Sequence, residues 1–164
     1  SEFTQYQLTE LYNTIGLGAL KFFLLRVDPK KKMIFNPEES IDFHGFTGPF
    51  IQYTHARIKS ILRKTGFTLH ITPSELLPLE KALAIELSNF PAVINEAAET
   101  LDPSKVAIYT FNLAKLFNSF YAEHSIANAE TEEKKQLRIQ LSILTAATLH
   151  KGMRALGIDV PEQM

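Results

Sequence analysis

Apolar residues recur along most of the chain at the three- and four-residue spacings of amphipathic helices, and prolines and glycines mark where one helix gives way to the next. Residues 5 to 26 carry Leu8, Leu11, Tyr12, Ile15, Ala19, Phe22 and Phe23 on a broad apolar face, which predicts one helix. Gly16 and Gly18 weaken it by about 1 kcal/mol each against alanine and so predict close approach of another backbone. Asp28-Pro29 ends it, because the residue before proline is pushed out of the α region. A basic tip, Lys30-Lys31-Lys32, and a short extended Met33-Ile34-Phe35 follow. Asn36-Pro37-Glu38-Glu39 reads as a one-turn helix with Asn36 as its cap and Glu39 placed for a capping box.

From Pro49 to Thr65 the pattern is helical again, with Ile51, Ile58, Ile61 and Leu62 in one stripe and Gly66 as the stop. Thr72-Pro73-Ser74-Glu75 reads as a capping box that opens a helix with Leu76, Leu79, Leu83 and Leu87 in register. Pro91 is expected to punctuate it, and the next helix carries Val93, Ile94, Ala97, Ala98 and Leu101. Asp102-Pro103 caps a helix to about His124 whose face of Val106, Tyr109, Leu113, Leu116, Phe117 and Phe120 is the most aromatic in the chain. After a polar turn, Asn128 to Thr131, the last helix carries Leu137, Ile139, Leu141, Ile143, Leu144 and Leu149. It is apolar on more than one side, which places it centrally; Gly157 ends it, and Pro161 stops the tail. The expected fold is all-α, an antiparallel helical bundle with a short extended lead-in.

With 164 residues the chain can bury a core as one domain with a small appendage. It contains no cysteine, which removes disulfides, thiolate catalysis and cysteine-based zinc sites and suits a reducing cytoplasm. The longest apolar run, Gly16 to Leu25, is broken by Lys21 and is too short to cross a bilayer, so no membrane partner is expected. The chain opens on Ser1-Glu2-Phe3 and reads as a piece of something longer. Its net charge of −1 hides an asymmetry. Residues 1–70 hold nine lysines and arginines against six carboxylates, net +3, whereas residues 71–164 hold eight against twelve, net −4. Phosphate contacts are therefore expected in the first half. An acidic second half can still read an unstacked base, because stacking and hydrogen bonding need no net charge.

No catalytic constellation assembles. His44, His55, His70, His124 and His150 are dispersed, and His55 and His150 read as surface or bundle-edge residues. Glu132-Glu133-Lys134-Lys135 is a solvated helix start. Gly45-Phe46-Thr47-Gly48 has the shape of a phosphate cradle, but Pro49 removes one donor. The informative stretch is Gly45 to Lys64. Tyr53 and Arg57 are four apart, so a helix stacks phenol and guanidinium on one face, where together they suit a base and a neighbouring phosphate. The same spacing also suits a core tyrosine beside a solvated arginine.

The words of this stretch, Gly48-Pro49-Phe50-Ile51-Gln52-Tyr53-Thr54-His55-Ala56-Arg57-Ile58, resemble the opening of the DALR anticodon-binding domain of arginyl-tRNA synthetases. Gly18-Ala19-Leu20-Lys21-Phe22-Phe23-Leu24-Leu25 and the stretch from Gly152 to Met164 agree with that family in the same order. The resemblance implies the end of a stem-contact region over residues 1–45 and an anticodon-binding bundle over 46–164. It implies arginine tRNA as partner, through its anticodon loop, and a catalytic domain of the same parent chain. The parent would use ATP with magnesium and arginine, but the His-Ile-Gly-His-like and Lys-Met-Ser-Lys-Ser-like motifs of such ligases are missing. No cofactor and no catalysis are therefore expected of this chain, and a cytoplasmic monomer is. By resemblance Tyr53 stacks on a loop base and Arg57 hydrogen-bonds to the loop. Tyr121 and Met164 line the pocket for the middle anticodon cytosine, while Arg63 and Lys64 contact the RNA backbone. Plain core packing for Tyr121 and a frayed terminus for Met164 are the competing readings. Lys30-Lys31-Lys32 is a further phosphate candidate, whereas Tyr109 reads as core and Asn112 and Lys115 as surface. The rival function is a helical protein-interaction module whose grooves receive partner helices, favoured by the acidic second half.

Overall fold

In the computed structural model the first helix opens at Thr4, whose hydroxyl accepts from the Gln7 amide while the Gln7 side chain accepts from the Thr4 amide. The structure describes residues 3–65 and 75–164. These form α1 (Gln5–Leu25), α2 (Pro37–Ser40), α3 (Gly48–Thr65), α4 (Pro78–Thr100), α5 (Ser104–Glu123) and α6 (Glu132–Ala155). No strand occurs among the described residues, so the all-helical expectation holds. Met33–Phe35 is irregular and forms no sheet; the Phe35 ring packs edge-on against Phe23 at 5.2 Å.

Arg26 joins the lead-in to the bundle. Its guanidinium lies over the Phe23 ring at 4.0 Å, donates to the Phe46 carbonyl and pairs with Glu39. Glu39 is thereby taken from the expected capping box of α2, and Asn36 caps alone, accepting from the Glu38 and Glu39 amides. Where α3 begins, the Thr47 hydroxyl accepts from the Phe50 amide and donates back to the Asp42 carbonyl. α1 and α3 then cross closely. A Cβ at Gly48 would lie 2.7 Å from the Gly18 carbonyl oxygen, and one at Gly18 would lie 2.4 Å from the Gln52 amide nitrogen. Close approach is thus the reason for Gly18, but not for Gly16, which has nothing within 4 Å.

The core is built from Phe22 of α1, Ile51 and Ile58 of α3, Leu83 of α4, Leu113, Phe117 and Phe120 of α5, and Ile139, Leu149 and Met153 of α6, all essentially without solvent contact. α6 packs on α3, α4 and α5 and is central, as its broad apolar pattern predicts. It nevertheless buries Ser142 and Thr145, whose hydroxyls return to the Arg138 and Leu141 carbonyls one turn back. Leu144 is exposed, as is Tyr12 of α1.

Two boundaries differ from the sequence pattern. α4 begins at Pro78, with the Leu77 amide bonded to Glu80, so Leu76 lies before the helix. The stop at Gly66, His70 and the Thr72-Pro73-Ser74 part of the expected capping box lie outside the described residues. α4 also continues through Pro91. A proline inside a helix costs about 3 kcal/mol, but both halves of α4 pack on α5 through Leu83, Leu87, Val93, Ile94 and Ala97. The turn ahead of the proline is tied to α5 as well, since the buried Tyr109 hydroxyl donates to the Glu86 carbonyl at 2.8 Å. Tertiary burial of the two halves outweighs the local break.

A buried ionic cluster fastens α4 to α6. Glu80 is fully buried and accepts from Arg138 Nε at 2.9 Å and Lys134 Nζ at 2.6 Å. Arg138, itself 1% exposed, also donates to the Ser125 carbonyl and to Glu130, and Lys134 donates to the Glu75 carbonyl. Each nitrogen of the guanidinium thus meets an acceptor, which is what a charge needs in order to stay charged away from water.

Candidate nucleic-acid interface

α3 divides its polar residues between two adjacent stripes because helical neighbours three and four apart share a face. One stripe, Tyr53, Arg57 and Lys64, looks onto a recess of about 820 Å³. Arg63 at the end of α3, Tyr121 of α5 and Met164 line the same recess. The six residues singled out from the sequence therefore converge on one place, although they come from two helices and the segment after Gly157.

Within the recess the Arg57 guanidinium lies over the Tyr53 ring at 4.7 Å. It is held there from the other side by Asn118, whose Oδ1 accepts from Arg57 Nη1 at 2.9 Å. The Asn118 amide nitrogen donates in turn to the Thr54 hydroxyl at 3.0 Å, which fixes its orientation. Tyr53 is 41% exposed, so it is not a core tyrosine; its ring also meets Phe43 edge-on at 6.3 Å. Tyr121 lies parallel to the buried Phe117, with centroids 6.3 Å apart and 6° between the planes, and is 37% exposed. An aromatic ring backed on one side and open on the other is a stacking platform. Tyr53, Arg57 and Met164 also border a second, more apolar recess of about 660 Å³, completed by Leu11, Ile15, Phe43, His44, Phe50 and Asn118.

The segment that leads to Met164 is tied to α3 as far as Glu162. The chain after α6 turns at Gly157, which has φ +69°, in a Schellman arrangement: the Ile158 amide donates to the Met153 carbonyl and the Gly157 amide to Arg154. The following segment, 158–164, lies along α3. Gln52 Nε2 donates to the Asp159 carbonyl at 2.8 Å, His55 Nδ1 meets the Pro161 carbonyl at 2.9 Å, and Arg63 donates to the Glu162 carbonyl at 3.1 Å. Lys59 pairs with the Glu162 carboxylate at 3.1 Å.

His55 is therefore not the edge residue its position in the sequence implied. It is 2% exposed, while the neighbouring His150 ring, 6.3 Å away, is open to solvent. Burial holds the His55 imidazole below its ordinary value of 6.5, against the opposing pull of the Pro161 carbonyl and Glu162. It is neutral at neutral pH, and because a carbonyl only accepts, the proton sits on Nδ1. Asn118, Gln52 and His55 were not identified from sequence. Asn118 carried no signal, being 61 residues from the arginine it holds. Gln52 and His55 carried a weak one, two polar residues three apart on one face of a predicted helix.

Among the described residues no three His, Asp or Glu side chains gather as metal ligands. At the Gly45-Phe46-Thr47-Gly48 turn the Thr47 and Phe50 amides are already bonded within the chain. The described residues at this turn do not fit a site for ATP or magnesium. Among the described residues no helix is long and apolar enough to cross a membrane.

Residues 51–164 match the model of the DALR anticodon binding domain. An arginine–tRNA ligase of Flavobacterium psychrophilum is 54% identical over 155 residues, which cover 94% of this chain and 26% of that protein. One from Bacteroides fragilis is 45% identical over 167 residues, covering 98% and 28%. The solved arginyl-tRNA synthetase of Thermus thermophilus superposes with a TM-score of 0.88 at 36% identity, covering 94% of this chain and 27% of that one. The chain thus spans about a quarter of the length of the relatives it matches.

Proposed function

The chain belongs to the DALR anticodon binding domain family, and from that premise we propose that it recognises the anticodon loop of arginine tRNA as one part of an arginine–tRNA ligase. The observation that carries this reading is the convergence of Tyr53, Arg57, Arg63, Lys64, Tyr121 and Met164 around a single recess. Tyr53 and Tyr121 supply two exposed rings for stacking on opened loop bases. Arg57, oriented by Asn118, supplies a charge-assisted donor to the loop. Arg63 and Lys64 are exposed at the rim and serve the RNA backbone, with Lys30, Lys31 and Lys32 as a second basic tip. Tyr121 and Met164 form the pocket of the middle anticodon cytosine. Residues 46–164 are the anticodon-binding bundle, and residues 1–45 belong to the stem-contact region. Leu17, Leu20 and Leu24 on the exposed face of α1 suit cover by the catalytic part of the parent chain. That part would use ATP, magnesium and arginine; the ligase is cytoplasmic and this unit monomeric.

The test is binding of this chain to an anticodon stem-loop of arginine tRNA at 50 and 200 mM salt. RNA binding that falls steeply with salt, with the slope reduced by about 1 in Lys64→Gln, is the expected result. Absence of binding at either salt, or binding indifferent to salt, would overturn it and leave a helical protein-interaction module.

A further inference from the structure

A second polar stripe of α3 meets the recess only at its last member, Arg63. Gln52, His55, Lys59 and Arg63 fall at i, i+3, i+7 and i+11, a single face of the helix, and they take in order the Asp159 carbonyl, the Pro161 carbonyl, the Glu162 carboxylate and the Glu162 carbonyl. Gln52 reaches further and also donates to the Thr14 carbonyl of α1, so α1, α3 and the segment are pinned at one side chain. The segment 158–164 contains no helix, and its carbonyls need donors if it is to lie on the protein rather than in water. Its apolar residues point the other way: Ile158 is 2% exposed and Val160 packs against the core. The segment is thus fixed from both sides, by the core through its side chains and by α3 through its backbone.

We infer that Gln52, His55, Lys59 and Arg63 act as a register for this segment, and that the register decides base selectivity in the recess by fixing where Met164 stands. This rests on the RNA-binding reading above. A slip of one residue along the stripe moves an extended backbone by about 3.4 Å, more than the length tolerance of a hydrogen bond to a base edge. Base selectivity is lost at that displacement. Attraction of Lys64 and Lys30–Lys32 for phosphate is not, since it carries no sequence information. Gln52 and His55 are consequently positioning residues: buried away from the RNA, they act on it only through the segment.

His55→Phe keeps an aromatic ring but removes the donor, and His55→Asn restores a nitrogen donor near the place of Nδ1. The chain has no cysteine, so Gln163→Cys gives a single site for a nitroxide label whose mobility reports the segment without RNA. The wild type is expected to prefer arginine tRNA over its middle-cytosine-to-uracil counterpart by about fivefold or more. His55→Phe is expected to free the label and bring that ratio to near one, with the salt slope unchanged, and His55→Asn to restore both. Should His55→Phe fail to melt cooperatively, Gln52→Met, which keeps volume and removes both donors, carries the same expectations. An unmoved label in the donor-less variant overturns the register. A freed label with undiminished preference overturns its role in selectivity. A wild type that binds neither RNA refutes the RNA-binding reading and leaves the register no selectivity to decide.

Discussion

Glu80→Gln is the sharpest stability perturbation in the molecule. The substitution keeps the shape and removes one charge from a place without solvent contact, where Glu80 balances Arg138 and Lys134 together. Removing one partner of a buried pair costs about 3–5 kcal/mol, because the remaining charge stays desolvated. Glu130 still faces Arg138 at 2.7 Å and Lys134 is 15% exposed, so the lower end applies, about 3 kcal/mol. For a domain of this size that corresponds to a melting temperature lower by about 6–12 °C. The assay is urea unfolding followed by circular dichroism, for Glu80→Gln and for the cycle of Glu80→Met, Arg138→Met and the double variant Glu80→Met/Arg138→Met. The double variant is expected to be more stable than the sum of the single losses by about 2 kcal/mol or more, since it strands less charge. A loss below about 1 kcal/mol in Glu80→Gln, or strict additivity, would refute the claim that these groups are energetically one unit. The pH dependence has a fixed sign. Burial alone raises the Glu80 carboxyl, but bonds from Lys134, the Leu77 amide and Arg138 outweigh it and hold the group below its ordinary value. Its contribution is present above the unfolded value of about 4.3 and is lost as pH falls through the lower folded value.

Other perturbations test separate contacts. Gly48→Ala places a methyl against the α1 backbone and is expected to cost about 2 kcal/mol or more by thermal unfolding, whereas Gly16→Ala, in open space, stabilises by up to about 1 kcal/mol; equal effects would show that the crossing is loose. Leu101 closes α4 at φ 53° with its side chain 82% exposed, so Leu101→Gly is expected to raise stability by about 1 kcal/mol in the same assay. His55 folds neutral with a lowered value, so stability is fully present above pH 6.5 and declines below it; a His55→Asn chain that keeps the wild-type slope between pH 6.5 and 5 would count against that. Asn118→Ala releases Arg57 and is expected to weaken stem-loop binding by about 1 kcal/mol with little change in melting temperature, read by fluorescence anisotropy.

The helices were legible in the sequence wherever a local device ends them. Asn36, Asp102 and Gly157 act as the pattern implies, whereas the cap at Thr4 is visible only in the structure. The pattern misled at Pro91, where burial on α5 overrides a local break, and at the start of α4, where the working contact is Glu80 with the Leu77 amide. Tyr53 and Arg57 were legible because helical spacing alone brings them together. That Tyr121 and Met164 share their recess followed from the family resemblance and not from any spacing, since they are 43 positions apart. Asn118 and the buried state of His55 depend on contacts across 61 and 106 residues, for which local pattern has no signal.

The proposed function depends on this recess reading a base. The direct measurement is the dissociation constant of the chain for arginine tRNA and for the same tRNA with uracil at the middle anticodon position, in the wild type and in Tyr121→Ala. The account predicts a preference for cytosine of about 1–3 kcal/mol that Tyr121→Ala abolishes while salt-sensitive binding persists. Equal affinity of the wild type for both RNAs, or a preference that survives the loss of Tyr121, would contradict it.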